Sequence, residues 1–416
     1  MRLNRPRAAS KPAALVLLSL CTVGALSTWF SAAGILPQLV ARYRLSGLDQ
    51  SLLTSSVLLG YVLGTMVSAV FGLADRLNPR RFFSASAVIA GASNLLLLWI
   101  DPALPAAIAC RFITGATVAG IYPIGVKMAA TWARNGSRDG GRSDMGLLLG
   151  LLIGALTFGT AAPHLLDAFG GADWRATIAL TSGLAFAAAV LVEFVALGPN
   201  HRRMPPFNPR FVLLAWRDKA LRLANFAYYG HNWELFGMWT WLGAFIAASY
   251  QATLGPRAAF WAPLAAFAAI GVGGAIGCVG GGLIADRIGR TRLTAWAMAA
   301  SAACSLSIGF LFGSNPWAVL ALAFVWGITV IADSAQFSAS IAELSQPEIV
   351  GTMLTVQTCV GFLVTLGAVH LLPPLVHRIG WRYAFMPLAV GPILGIVAMT
   401  RLRARPEAVK LASGRR

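Results

Sequence analysis

The chain has 416 residues, 57% of them hydrophobic and only 12% charged, with a mean hydropathy of +0.70. Soluble globular chains carry about 25% charged residues, so a water-soluble domain is excluded and most of the length must lie in lipid. The formal charge of +18 does not point to nucleic acid, because no basic face is interleaved with base-stacking aromatics.

Stretches without any charged residue set the predicted elements. A bilayer crossing needs about 20 apolar residues, and such runs extend from Pro12 to Ala41, from Ser51 to Ala74 and from Leu293 to Ala332, the last long enough for two crossings. Twelve transmembrane helices are predicted at 13–38, 49–74, 82–100, 103–132, 145–169, 176–198, 222–250, 259–285, 293–312, 317–342, 349–376 and 382–401. The basic N-terminus followed by an apolar run mimics a signal peptide. That run is too long, however, and carries Trp29 and Phe30, so a retained first span is expected. Asn315-Pro316 is the turn that separates spans nine and ten. Between spans six and seven, Pro199, Pro205, Pro206, Pro209 and several Arg mark a linker over 199–220. Glycines repeat at four-residue spacing in span two (Gly60, Gly64), span five (Gly146, Gly150, Gly154) and span eight (Gly273, Gly277, Gly281), a pattern that lets helix backbones approach in lipid. The five cysteines all fall in apolar spans without a CxxC pair, so neither a disulfide framework nor a metal centre is expected.

Two short signatures lie 211 positions apart: Asp75-Arg76 with Arg80 and Arg81, and Asp286-Arg287 with Gly289, Arg290 and Arg292. Trp174-Arg175 and Trp381-Arg382 repeat at 207. Offsets near half the chain predict tandem halves: an all-α polytopic membrane protein of two pseudo-symmetric six-helix units, 1–198 and 221–416. Lys and Arg number 25 on one set of predicted loops and tails and 6 on the other, with Arg111 and Lys127 inside spans. The positive-inside rule then puts both termini in the cytoplasm, which suits a bacterial inner-membrane protein.

These residues resemble the major facilitator superfamily of secondary transporters over the whole chain. The loop pattern after span two of that family, G-x-L-a-D-r-x-G-r-k/r, is met well by Gly282 to Arg292; in the first copy Gly72 is one position late, Asn78 replaces the later glycine and Pro79 interrupts the basic run. The resemblance implies the twelve-helix fold and a conformational-switch role for Asp75, Arg76, Arg80, Arg81, Asp286, Arg287, Gly289 and Arg290. It also implies that Asp75 sits near the start of span eleven and Asp286 near the start of span five. Arg111-Phe-Ile-Thr-Gly115 is similar to the family's Arg-xxx-Gly element, whereas span five lacks the Gly-Pro-xx-Gly-Gly of antiporter branches.

Ionisable groups within spans are costly, and a working role is the default reading. Arg111 and Glu234 are expected about 12 and 18 Å deep, at 1.5 Å per residue, near the midplane. His231 and Glu234 are three apart, hence on one helix face, and suit proton or substrate handling; the alternative is that Glu234 simply neutralises Arg111. Two ligands on one helix do not fill a metal shell. Lys127 and Asp333, in spans four and ten, are expected to form a state-dependent inner-gate ion pair, present when the carrier faces outward and broken when it faces inward. Trp241 shares the Glu234 face and Gln336 the Asp333 face, which adds both to the substrate-binding candidates. His164 and His370, near span ends, are expected to make helix-end hydrogen bonds.

The function expected is secondary active transport of a small solute by alternating access, driven by protons, with a preference for an organic or inorganic anion. No GxxxxGK[ST] loop for ATP is present, and neither a cofactor nor a metal is expected. Export of hydrophobic compounds is the first alternative; a polytopic membrane enzyme and a non-transporting sensor are the distant ones. The partners expected are the solute, protons and the lipid bilayer, with the protein a monomer.

Overall fold

A computed structural model describes residues 10–133, 145–169, 173–200 and 207–415, apart from the side chains of 145–147, Asp286 and Ser413. The basic loop 134–144 and part of the predicted linker lie outside the described residues. All regular structure among the described residues is helical.

The helices are α1 (Lys11–Leu26), α2 (Gly47–Phe71), α3 (Pro79–Leu95), α4 (Pro105–Val118), α5 (Tyr122–Ala130), α6 (Met145–Phe169), α7 (Trp174–Leu191), α8 (Lys219–Leu254), α9 (Ala258–Phe267), α10 (Gly274–Ile288), α11 (Arg290–Ser307), α12 (Pro316–Thr329), α13 (Ser334–Leu344), α14 (Val350–Ile379) and α15 (Val390–Arg403), with shorter turns between them. Ten continuous helical stretches among the described residues are long and apolar enough to cross a bilayer. One of them, Lys219–Ala285, doubles back where Gly255 takes φ +57°, since α9 packs against α8. Counting it twice and adding α1 agrees with the predicted twelve.

Local chemistry explains the boundaries. Ser46 and Asp49 form a reciprocal capping box: the Asp49 N–H donates to Ser46 Oγ at 3.2 Å and the Ser46 N–H to Asp49 Oδ2 at 3.1 Å. Gly72 ends α2 at φ +61°. Asn78, which replaces the family's glycine, caps α3 by accepting from the Arg80 N–H at 3.0 Å, and Pro79 fills the first helical position. In the second copy Gly289, at φ +93°, makes the same turn before Arg290. The departure in the first loop is therefore a different solution to one geometric task.

The duplication shows in the backbone itself. Span four is broken at 119–121, between α4 and α5, and span ten at 330–333, between α12 and α13. Both spans open with a proline, Pro105 and Pro316, 211 positions apart. In each half a glycine lets two helices touch backbone to backbone. A Cβ on Gly115 would stand 1.9 Å from Val57 O of α2, and one on Gly327 would stand 1.9 Å from Ala269 O, in the π turn Ala268–Gly273 that joins α9 to α10. The span-five ladder behaves differently: Gly154 has nothing within 4 Å and the nearest atom to a Cβ on Gly150 is Cys278 O at 3.7 Å.

The two halves of the chain meet through α2 on α14 and α6 on α10. Toward the face opposite the Arg-rich loops, Ser51 Oγ donates to Val369 O at 3.3 Å, and His370 Nε2 and Ser55 Oγ are 2.9 Å apart. His164 packs on Gly243 of α8. Both histidines thus lie at the joint between halves, and the helix-end role expected for them gives way to this bridging one. Nearer the middle, Thr157 Oγ1 and Cys278 Sγ are 3.7 Å apart. On the basic-loop side of these, Cys359 Sγ of α14 donates to Val62 O of α2 at 3.9 Å.

The central cavity and the buried ions

A cavity of about 100 Å³ occupies the middle of the bundle. The first half contributes Trp29, Tyr61, Tyr122, Ile153 and Leu156; the second contributes Tyr228, Asn232, Phe236, Trp239, Ser334, Ser338, Thr358 and Phe362 among others. Its far side is sealed by rings from both halves. Trp29 lies 5.9 Å from Phe362 at 19°, Phe30 lies 6.1 Å from Phe236 at 27°, and Trp239 meets Phe30 edge-on at 5.8 Å. Such contacts each add about 0.5–1.5 kcal/mol beyond the area that they bury.

Trp29 is placed by Arg111. Span one breaks after Leu26 and resumes at Ser31, so carbonyls near the break lose their helical donors. The fully buried Arg111 guanidinium supplies replacements: Nη1 donates to Thr28 O (2.9 Å), Ser31 Oγ (3.1 Å) and Asn94 Oδ1 (3.2 Å), Nη2 to Trp29 O (2.5 Å) and Nε to Leu53 O (3.1 Å). Asn94 in turn donates to Thr181 Oγ1 and Ser182 Oγ of α7. All five Arg111 acceptors are neutral, and they join four helical segments of the first half.

The second half buries three titratable side chains. His231 Nδ1 is 2.9 Å from Asp333 Oδ1, both about 2% exposed. The approach is off the line of a hydrogen bond, and His231 Nε2 has no partner. The break in span ten sets Asp333 at the N-cap position of α13 without a capping bond, which leaves its carboxylate to face the imidazole. Glu234 looks elsewhere: Ser301 Oγ donates to Oε2 at 2.7 Å and Trp326 Nε1 to Oε1 at 3.0 Å. Neither pair lines the cavity, but Asn232 and Ser334, each adjacent in sequence to a member of the His231–Asp333 pair, do.

At the basic-loop face each half ties its loop to the end of its own broken span. Lys127 donates to Ala74 O at 2.5 Å and pairs with Asp75. Arg290 grips Glu343 with two bonds, Nε to Oε2 at 2.8 Å and Nη2 to Oε1 at 2.6 Å, while Nη1 donates to Gln336 Oε1 at 2.6 Å.

The sequence profile of the Major Facilitator Superfamily matches residues 18–368. The chain belongs to the Major Facilitator Superfamily. It is a membrane transporter of small solutes rather than an enzyme. No curated protein matches it in sequence. Among solved structures it is similar in fold to the nucleoside transporter NupG, at 12% identity and a TM-score of 0.69, covering 95% of this chain and 100% of that one. It is similar also to a D-xylose-proton symporter, at 16% identity and a TM-score of 0.70, covering 95% and 98%.

Within this superfamily fold several expected roles shift. Lys127 and Asp333 are apart in this structure, each with a nearer partner in its own half, Asp75 and His231, the arrangement expected of an inward-facing state. Glu234 does not neutralise Arg111; both are satisfied locally. Arg111 braces the break in span one, and neither it nor Lys127 lines the cavity. Trp241 donates its Nε1–H to Val369 O at 3.0 Å and is a strut between α8 and α14. Gln336 belongs to the Arg290 clasp. Asp75 bonds Lys127, so no contact with the start of span eleven is needed to satisfy it, while the side chain of Asp286 lies outside the described residues. Arg76 and Gly289 lie in the connections after spans two and eight, while Arg80 and Arg81 fall in the first turn of α3 and Arg287 in the last turn of α10. Sequence reasoning missed the walls of the cavity from the first half, Trp29, Tyr61 and Tyr122; hydroxylated or N–H-bearing rings at mid-span were the available signal.

Proposed function

We propose that this superfamily member moves a small solute by alternating access, driven by a proton gradient across a bacterial cytoplasmic membrane. Two six-helix units, 1–198 and 221–416, joined by 199–220, would rock about the central cavity, with the Arg-rich loops and both termini inside. The observation that carries the reading is the His231–Asp333 pair, buried one residue behind the cavity wall. A carboxylate 2.9 Å from an imidazole within a membrane span is costly to keep without a working role, and an acid–base pair is the chemistry that proton coupling needs. Solute between Asn232 and Ser334 bears on the neighbours of both members, which links occupancy to protonation. The clustering of contacts between halves away from the basic loops supports a state closed outside and open to the cytoplasm.

The test is reconstitution in proteoliposomes with a panel of small anions and neutral ring solutes, with and without an imposed proton gradient. Accumulation of at least one solute that collapses with a protonophore is expected. Accumulation unaffected by the gradient for every transported solute overturns proton drive, and no transport of any kind overturns the carrier reading.

A further inference from the structure

We propose that the solute is uncharged, no larger than a single ring, and held through carbonyl-type acceptors by the indole N–H of Trp29 and the side-chain amide of Asn232. This rests on the cavity being the transport site and adds the chemical class of what it carries.

Three observations converge on it. First, every side chain that lines the cavity is neutral. The nearest charged groups lie outside the lining, where Arg111 faces five acceptors, Lys127 faces Asp75 and Ala74 O, Asp333 faces the His231 ring at 2.9 Å, and Glu234 faces Ser301 and Trp326. An ion that entered would lose its water with no opposite charge to meet it, at a penalty of several kcal/mol. Second, Trp29 Nε1 is buried without a hydrogen-bond partner on a side chain 1% exposed, and the 2% exposed Asn232 amide stands beside Tyr228 with a second N–H still to offer. Buried polar groups in native proteins are nearly always satisfied. Both are donors on the cavity's own lining residues, so what is missing is an acceptor; a cation offers none. Third, the cavity is small and walled by rings. An apolar cavity of about 150 Å³ takes up benzene, so about 100 Å³ admits one ring at most. Trp29 and Phe362 are nearly parallel, and Tyr61 lies 5.1 Å from Trp29 and 4.6 Å from Phe362, a setting that favours a flat solute.

Gly361 makes the room on the second-half side. A Cβ there would stand 2.3 Å from Tyr228 Cε1 and 2.5 Å from Asn232 Nδ2, so even a methyl group must displace one of them.

The experiment is equilibrium binding to the full chain in nanodiscs at pH 7. The probes are three neutral carbonyl compounds (benzamide, nicotinamide and uracil) and two charged analogues of the first, benzoate and benzylamine. At least one neutral probe should bind, with benzoate and benzylamine at least tenfold weaker than benzamide. Trp29→Phe keeps an aromatic ring but deletes the N–H with the five-membered ring that carries it, and should weaken the bound neutral probe at least about five-fold, the loss of one hydrogen bond. Gly361→Ala should weaken it further. Size-exclusion profiles and melting temperatures confirm that the variants are folded. Benzoate or benzylamine binding as tightly as the neutral probes overturns the proposal, as does a Trp29→Phe variant that binds unchanged. Binding of none of the neutral probes also overturns it. Each of these results is distinct from failure of the carrier reading, which is decided by gradient-driven accumulation in liposomes whatever solute is accumulated.

Discussion

Two loops one repeat apart fasten themselves with opposite polarity. After span two the loop offers an acid, Asp75, to a base on the end of span four, Lys127; after span eight the loop offers a base, Arg290, to an acid on the end of span ten, Glu343. The contrast deepens toward the middle. The first half buries a permanent cation, Arg111, among neutral acceptors, and His164 at the joint between halves, whereas the second buries His231, Glu234 and Asp333. Backbone architecture is duplicated and chemistry is not. The first half is tied around the break in span one, and the second gathers the acidic groups that the proposed coupling would use.

The largest test of that contrast is Arg111→Leu. It strands five acceptors at about 1–3 kcal/mol each, of which relaxation and water recover a part, so a loss on the order of 5 kcal/mol is expected. Thermal unfolding in detergent would show it, and a variant as stable as the parent would mean that the cage contributes nothing. Next comes the glycine contrast. Gly115→Ala forces α2 and α4 apart and should cost about 1–3 kcal/mol. Gly154→Ala meets open space and should gain up to about 1 kcal/mol from reduced chain freedom; equal effects would deny the close approach. Asp333→Asn should lower gradient-driven accumulation at least tenfold, about 1.4 kcal/mol of driving force, while solute exchange between equal pools and the melting temperature stay near the parent's. Intact gradient-driven uptake would remove the pair from coupling. The smallest effect belongs to the loop staples. Lys127→Ala should cost less than about 1 kcal/mol, since both partners are partly exposed, and the swap Asp75→Lys with Lys127→Asp should restore it. A double variant no better than Lys127→Ala would show that the pairing itself is inert.

Much of the fold was legible because its signals are one-dimensional. Charge-free runs mark the spans, the offset of 211 marks the repeat, and Asn315-Pro316 marks a turn that the structure places at the start of α12. Burial was legible too: Arg111, Glu234 and Asp333, ionisable groups inside apolar spans, all turn into the bundle. Azimuth was not. Which neighbour a buried group meets depends on helix rotation and on breaks, and the break in span one leaves no periodic trace. That break frees the carbonyls that capture Arg111, while the break in span ten turns Asp333 toward His231 and away from Lys127. Spacing put His231 and Glu234 on one face correctly. The face, however, is broad enough for Asp333 to serve one and for Ser301 and Trp326 to serve the other.

The uncharged lining of the cavity has a bioenergetic corollary. A neutral passenger accompanied by one proton carries a net positive charge across the bilayer, so each cycle would be an electric current. Voltage alone would then act on it at about 2.3 kcal/mol for every 100 mV. That is enough for roughly fifty-fold enrichment with the two compartments at equal pH, and an anion taken up with the same single proton would receive none of it.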